Sequence, residues 1–411
     1  MSRTRNNLAA PMLGIAALCL GGAAVAGPAS APAVCTNVAF DDESAGAPNK
    51  GVRIDLAGAC ARLTGEFDYQ YQNNLSTRLT GVPSAISSKL LSSVPSWINT
   101  GIGIVNLDTK RTTPLGDLVT NTEVQWLQAS NDDTDGGTVT VQSLYGTLGG
   151  ATLGYTSSLM DFWSGDFLFT ATTPELSVGI AAYEFQISST TWLAFAAESG
   201  LPSSAQTSEG IRSVDFSSPT ATSRLTYVND GVTLHLSGVV READFPASTL
   251  PFHPEAASTK AGWAPSFGAT LPSKITGEKD TVSMQATYAV NALQVLGTRA
   301  DISKLESIVP DSGPTKGWSV VASLNHPWSA TWESNAFVSF ISVDADLRFA
   351  NPEVRSMQVD ANLYWRPCDA LRLGAEIAWM RSDIDVDGAE GYFNGVSAEA
   401  VVGYLSAKST F

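Results

Sequence analysis

Polar and apolar residues alternate with a period of two along much of the chain, in segments of about ten residues. The clearest segment is Arg62-Leu63-Thr64-Gly65-Glu66-Phe67-Asp68-Tyr69-Gln70-Tyr71, where every even position is polar and every odd one is apolar, aromatic or Gly. Val232–Ser237, Ser356–Leu363 and Leu371–Ile377 repeat the pattern. Such segments predict β-strands with one wet and one apolar face. Helical periodicity is scarce, and beyond the N-terminal segment there is no apolar run long enough for a helical membrane span.

A soluble sandwich alternates in the same way, so the connections decide. Short turns are expected at Gly149-Gly150, Ser188-Ser189-Thr190, Asn229-Asp230-Gly231, Ala289-Val290-Asn291, His326-Pro327-Trp328 and Arg366-Pro367-Cys368-Asp369, with one more near 109–117. Between them lie long polar stretches near 72–99, 131–137, 158–176, 200–220, 243–280, 304–316, 345–354 and 383–395. Short and long connections alternate, and the even strand count, about sixteen, puts both termini on the short-turn side. This predicts an all-β fold, a transmembrane antiparallel β-barrel with short periplasmic turns and longer extracellular loops. Trp192, Trp318, Trp328, Trp332, Trp365 and Trp379 fall at strand ends, as interfacial girdles require. The last strand ends in Phe411, like the terminal strands read by outer-membrane assembly machinery.

Composition narrows the class. Charged residues make up 16% of the chain, against about 25% in soluble domains, and the aromatic content excludes a long disordered chain. A net charge of −16 argues against nucleic acid. Arg3 and Arg5, the apolar Met12–Ala26 and the small residues Ala24-Val25-Ala26 read as a signal peptide over residues 1–26. Residues 27–59 would form a periplasmic segment leading into the barrel at 60–411. Export permits disulfides. Cys35 and Cys60 are expected to pair and Cys368 to be left over, though it lies on the same side and could compete.

The Cys35…Cys60 pair followed by Leu63-Thr64-Gly65-Glu66-Phe67-Asp68-Tyr69 resembles the start of the alphaproteobacterial porin family. Ser158-Leu159-Met160-Asp161-Phe162-Trp163 is similar to that family's third loop, and Tyr364-Trp365-Arg366-Pro367…Leu371-Arg372-Leu373-Gly374-Ala375-Glu376 to its penultimate hairpin. The resemblance implies a sixteen-stranded trimeric diffusion channel whose third loop folds into the pore.

Passive passage of small hydrophilic solutes and ions across the outer membrane of a Gram-negative bacterium is the expected function. A substrate-selective channel for sugars or organic acids is the alternative, and a non-channel exported β protein a further one. No G-x-S-x-G, Walker A or H-E-x-x-H motif occurs, so no enzyme is expected. No cofactor is expected; the expected partners are outer-membrane lipid and lipopolysaccharide, together with copies of the chain itself.

Loop residues 158–176 carry Asp161, Asp166 and Glu175 among Phe162, Trp163, Phe167 and Phe169. Four bulky aromatics have no reason to sit on a solvent loop, so this segment should pack on the inner wall with its carboxylates in the lumen. Opposite charge would come from inward Arg62, Arg224 and Arg372, with Glu66, Asp68 and Glu376 interleaved, giving a transverse field. Asp383, Asp385 and Asp387 before Gly388 copy the start of a calcium loop, and Asp132, Asp133 and Asp135 offer a similar cluster.

Overall fold

The computed structural model describes residues 51–56, 59–92, 94–130, 137–170, 176–199, 219–245, 258–275, 277, 279–297, 314–345, 351–387 and 395–411. The expected signal peptide, Cys35, Glu175 and the Asp132–Asp135 cluster lie outside them.

Among the described residues, seventeen strands form one antiparallel sheet. β1 (Val52–Leu56) is short and β2 (Ala59–Thr80) long; helix α1 (Ser84–Ser92) precedes β3 (Trp97–Thr113) and β4 (Gly116–Ala129). Next come β5 (Thr138–Leu148), β6 (Ala151–Ser157), β7 (Ser177–Ser188), β8 (Thr191–Glu198), β9 (Thr220–Asn229) and β10 (Val232–Phe245). The wall continues with β11 (Ser258–Ser273), β12 (Asp280–Val290), β13 (Thr315–Pro327), β14 (Trp332–Ala345), β15 (Asn351–Cys368), β16 (Leu371–Asp387) and β17 (Val396–Thr410). From β2 to β17 each strand pairs with its chain neighbour, and β17 pairs with β2, so sixteen strands close a ring. Closure leaves no unpaired edge, the condition for a sheet to stand in lipid.

The seam is completed by the C-terminus. Phe411 and Gly65 exchange both backbone hydrogen bonds, at 3.0 and 3.3 Å. Beyond that point β1 takes over the same edge of β2, with Val52 opposite Leu63. A Cβ on residue 65 would stand 2.0 Å from the Phe411 ring.

Alternation sorts the side chains as the sequence implies. Phe67, Tyr69, Leu236, Val240, Ile377 and Leu405 point outward and are exposed, while Asp68, His235, Glu376 and Tyr404 are buried inside. Trp263 with Tyr288 and Trp318 with Phe340 form one aromatic level; the stacked Trp332 and Trp365 form the other. On β14, Ser342, which faces Trp318, lies ten residues from Trp332. At about 3.3 Å per residue and a tilt near 40° the two levels are about 25 Å apart, the height of a lipid-facing band.

Two parts of the expected layout are corrected. β11 lies inside the stretch 243–280 read as one long loop, where Lys260, Gly262 and Pro265 weaken the pattern. Ala289-Val290-Asn291 is no short turn. β12 ends at Val290, and the chain then folds inward through a 3-10 turn, Leu293–Leu296. The real short connection precedes β12, at residues 274–279. The strand number is unchanged, because β11 takes the place of a strand expected after Asn291. Leu293, Val295 and Leu296 pack with Leu159, Met160, Ile341 and Val343 in an apolar cluster on the inner side of the wall.

Cys60 and Cys368 are each disulfide-bonded, so Cys368 is not the spare thiol expected of it.

Candidate pore constriction

The third long connection, between β6 and β7, lies against the inside of the barrel. Its neck is tied first. Ser158 N–H donates to Leu176 O (2.8 Å), and Leu176 N–H donates to Asp161 Oδ2 (2.6 Å). Glu198, at the end of β8, accepts from Ser158 Oγ (2.9 Å) and Leu159 N–H (2.8 Å).

The loop then crosses to β12. Gln285 Oε1 accepts from the N–H groups of Phe162 (3.2 Å) and Trp163 (2.8 Å), while its Nε2 donates to Met160 O (3.0 Å). One buried amide thus satisfies three backbone groups that have no ladder partner. Phe162 lies 4.9 Å from the His235 ring, over Gly268, where a Cβ would come within 2.2 Å of it. Trp163 donates to Ser323 Oγ (2.9 Å). Trp163 and Phe167 both pack on the inward Phe337, at 5.5 and 4.5 Å between ring centroids.

The tip reaches β15 and β16. Asp166 O accepts from Asn362 Nδ2 (2.7 Å) and Tyr364 OH (3.1 Å). Glu376 accepts from Leu168 N–H (2.8 and 2.9 Å) and Phe169 N–H (2.9 Å). Gln358 Nε2 donates to Phe169 O (2.7 Å). The Asp166 carboxylate pairs with Arg372, whose guanidinium also lies 4.1 Å from the Tyr364 ring centroid.

The expected packing is therefore present, but the charges are distributed differently. Asp161 closes the loop neck instead of facing the lumen. Glu376 is 5% exposed and clamps the loop backbone, so it is no open wall charge. Asp166 keeps its side chain 45% exposed beside Arg372. Arg62 is bound to Asp108 (2.6 Å), Arg224 to Glu184 (2.8 Å), and Glu66 to Lys408 (2.5 Å); Asp68 accepts from Gln70 (2.8 Å). Arg372 meets the loop acid Asp166, whereas Arg62 and Arg224 pair with carboxylates of the wall, so a loop acid faces a wall base at one point and local pairs make up the rest. Arg372, Lys408 and Asp68 are register partners.

Glu198, Gln285, Asn362 and Tyr364 were missed. They sit at the inward parity of recognised strands, but nothing local separates a residue that binds a loop from one that merely wets a lumen.

Asp383, Asp385 and Asp387 are described, whereas Gly388 and the rest of the loop to residue 394 lie outside the described residues. β16 continues through Asp387, so the three acids lie along an extended strand and do not wrap around a turn. Arg381 holds Asp383 at 2.9–3.1 Å. Among the described residues no group of three His, Cys, Asp or Glu is placed to hold a metal ion.

A closed ring with aromatic levels and a loop seated in its lumen has a known counterpart. The family model described as porin subfamily matches residues 58–403. The chain belongs to the porin family. It is a passive channel of the Gram-negative outer membrane. Among solved structures, the outer membrane channel DcaP of Acinetobacter baumannii is similar with a TM-score of 0.64 and 16% identity, over 88% of this porin and 100% of that chain. The trimer form of OmpT of Vibrio cholerae matches with a TM-score of 0.52 and 9% identity, over 86% and 100% of the two chains. OprB of Pseudomonas putida matches with a TM-score of 0.52 and 11% identity, over 85% and 94%. No curated protein matches the sequence.

Proposed function

We propose that this porin passes small hydrophilic solutes and ions without catalysis, and that the third loop forms its constriction. The observation that carries the reading is the course of the loop, hydrogen-bonded from Glu198 on β8 to Glu376 on β16. It narrows a lumen whose other wall, β2 to β5, carries Glu66, Asp68, Asn121, Gln125 and Gln142. That wall offers amides and paired charges, which suits a general channel better than a single-substrate site. Liposome swelling across neutral sugars and organic acids of rising size tests it. A smooth decline with size supports general diffusion; a jump for one chemical class would establish the selective channel instead.

Within the constriction Asp166 is the proposed selectivity residue and Asp161 a positioning residue. Asp166→Asn is expected to free Arg372 and move the reversal potential in a salt gradient toward anions. Asp161→Asn is expected to leave that potential in place while loosening the loop neck. Equal reversal potentials in Asp166→Asn and wild type would remove Asp166 from the ion path.

The alphaproteobacterial branch of the family is the proposed origin, on the motifs around Cys60, Ser158 and Tyr364. A signal peptide over 1–26 and a periplasmic leader over 27–59 are proposed to precede the barrel. The long loops face outside, where lipopolysaccharide is the proposed neighbour.

A homotrimer is the proposed assembly. The trimer form of OmpT supports it, as does the outer face of β3, where Gly101 has no atom within 4 Å of a built Cβ and Gly103 only Trp126 at 3.7 Å. Cross-linking in native membranes is expected to give a trimer ladder, and a monomer alone would sink the assembly.

A further inference from the structure

The lumen face of the wall is not uniform. On β2 to β5 it carries amides and paired charges. From β8 to β14, beside the neck of the third loop, Ala194, Val239, Ala264, Ala289, Ile341 and Val343 point inward and are buried. An apolar inward patch of this extent belongs against packed protein and not against an open water column. The third loop covers part of it with Leu159 and Met160, and the turn that follows β12 covers the rest. Two left-handed residues set that turn. Asn291 (φ 50°) takes the chain off the wall, and Gly297 (φ 80°) redirects it. Asn291 N–H donates to Thr315 O (2.9 Å), its Nδ2 donates to Ala261 O (2.9 Å), and its Oδ1 accepts from Thr315 N–H (3.1 Å). The wall is cut away beneath the turn. A Cβ at Gly262 would stand 2.3 Å from Asn291 O, and one at Gly317 would stand 2.6 Å from Leu296 Cδ1. Leu293, Val295 and Leu296 are buried, whereas Gln294 between them is half-exposed, its Oε1 accepting from Arg241 Nη1 (2.5 Å).

The geometry points to the turn Asn291–Gly297 as a second element of the constriction, separate from the third loop, which limits the size of the solutes admitted. The inference rests on the channel reading above. The two segments stand side by side on one apolar face and together withdraw it from water. The water path is thereby confined to the opposite side of the lumen, along β15 to β17 and β2 to β5. Gln294 is the residue that the turn presents toward that path. Its amide carries no charge, so the turn takes up cross-section without adding to the field around Asp166 and Arg372. Division of labour follows: the third loop sorts ions at Asp166, and the turn restricts bulk at Gln294. The glycines at 262 and 317 and the triple bond of Asn291 fix the turn to the wall independently of the loop, so it keeps its place when the loop tip moves.

The test is Gln294→Cys in planar bilayers, treated with uncharged methanethiosulfonate reagents of increasing bulk, with coupling verified by mass. Single-channel conductance is expected to fall stepwise with reagent size, at an unchanged reversal potential. Wild type is the control and is expected not to respond, since Cys60 and Cys368 are disulfide-bonded. Leu293→Ser with Leu296→Ser sets two hydroxyls in the apolar cluster and unseats the turn. Liposome swelling is expected to rise for large sugars and to stay constant for small ones. If the double variant fails to fold, the half-exposed Gln294→Cys decides by itself. Full conductance with the bulkiest reagent coupled would overturn the proposal, because the turn would then only seal the wall. An unchanged size profile in a folded double variant would overturn it too. So would a reversal potential that moves with an uncharged reagent, because the turn would then act through the third loop. The two readings fail separately: a wild type without conductance overturns the channel itself, and a conducting wild type with an unresponsive coupled cysteine overturns the role of the turn alone.

Discussion

Glu376→Ala is expected to give a folded barrel whose single-channel conductance is larger and noisier than wild type. The Glu376 carboxylate is the shared acceptor for the N–H groups of Leu168 and Phe169 at the loop tip. A hydrogen bond to a charged group contributes about 1.5–3 kcal/mol. Losing two of them shifts the seated tip toward released states by roughly 3 kcal/mol, or about a hundredfold in population. The neck at Glu198 and the fork at Gln285 remain, so the loop swings from a fixed base. Glu376→Gln keeps a carbonyl acceptor and is expected to fall between the two. Planar-bilayer recordings decide; current and noise identical to wild type would mean that Gln358, Asn362 and Tyr364 hold the tip without it.

Gly65→Val is expected to weaken closure of the ring. The ring of Phe411 occupies the space a side chain at 65 would need, with contacts at 2.0 and 2.1 Å. Overpacking of this kind costs about 1–3 kcal/mol when neighbours can shift, and the exposed Phe411 ring can swing aside at the expense of its contacts at the seam, so the loss is expected to be partial. Loss of the heat-resistant gel species after refolding into detergent is the readout. Phe411→Ala in the Gly65→Val background is expected to restore part of it, because the obstruction is removed. No restoration would place the defect in the backbone of β2 and not in the ring contact.

The sequence carried the wall of this molecule well and its interior furnishing poorly. Strands such as Arg62–Tyr71 declare themselves because lipid and water impose opposite demands on successive residues. β11 escaped because Lys260, Gly262 and Pro265 blur that contrast, and the inward fold after Asn291 escaped because its apolar residues read as one more strand. Four aromatics were enough to place the third loop against the inner wall. The use of its charges was not legible. Asp161 and Glu376 look like ion-path residues until their partners are known, and those partners lie up to 208 residues away.

The same distances set the order of events during assembly. Every anchor of the third loop beyond its neck lies on a strand that follows the loop in the chain: Gln285 on β12, Phe337 on β14, Asn362 on β15, Glu376 on β16. Long closures are entropically slow, and these cannot form before the later strands have paired. The loop is therefore expected to seat in stages, its last hydrogen-bonded anchor forming only once β16 has joined the wall. The second half of the chain thus decides how far the first half obstructs the channel.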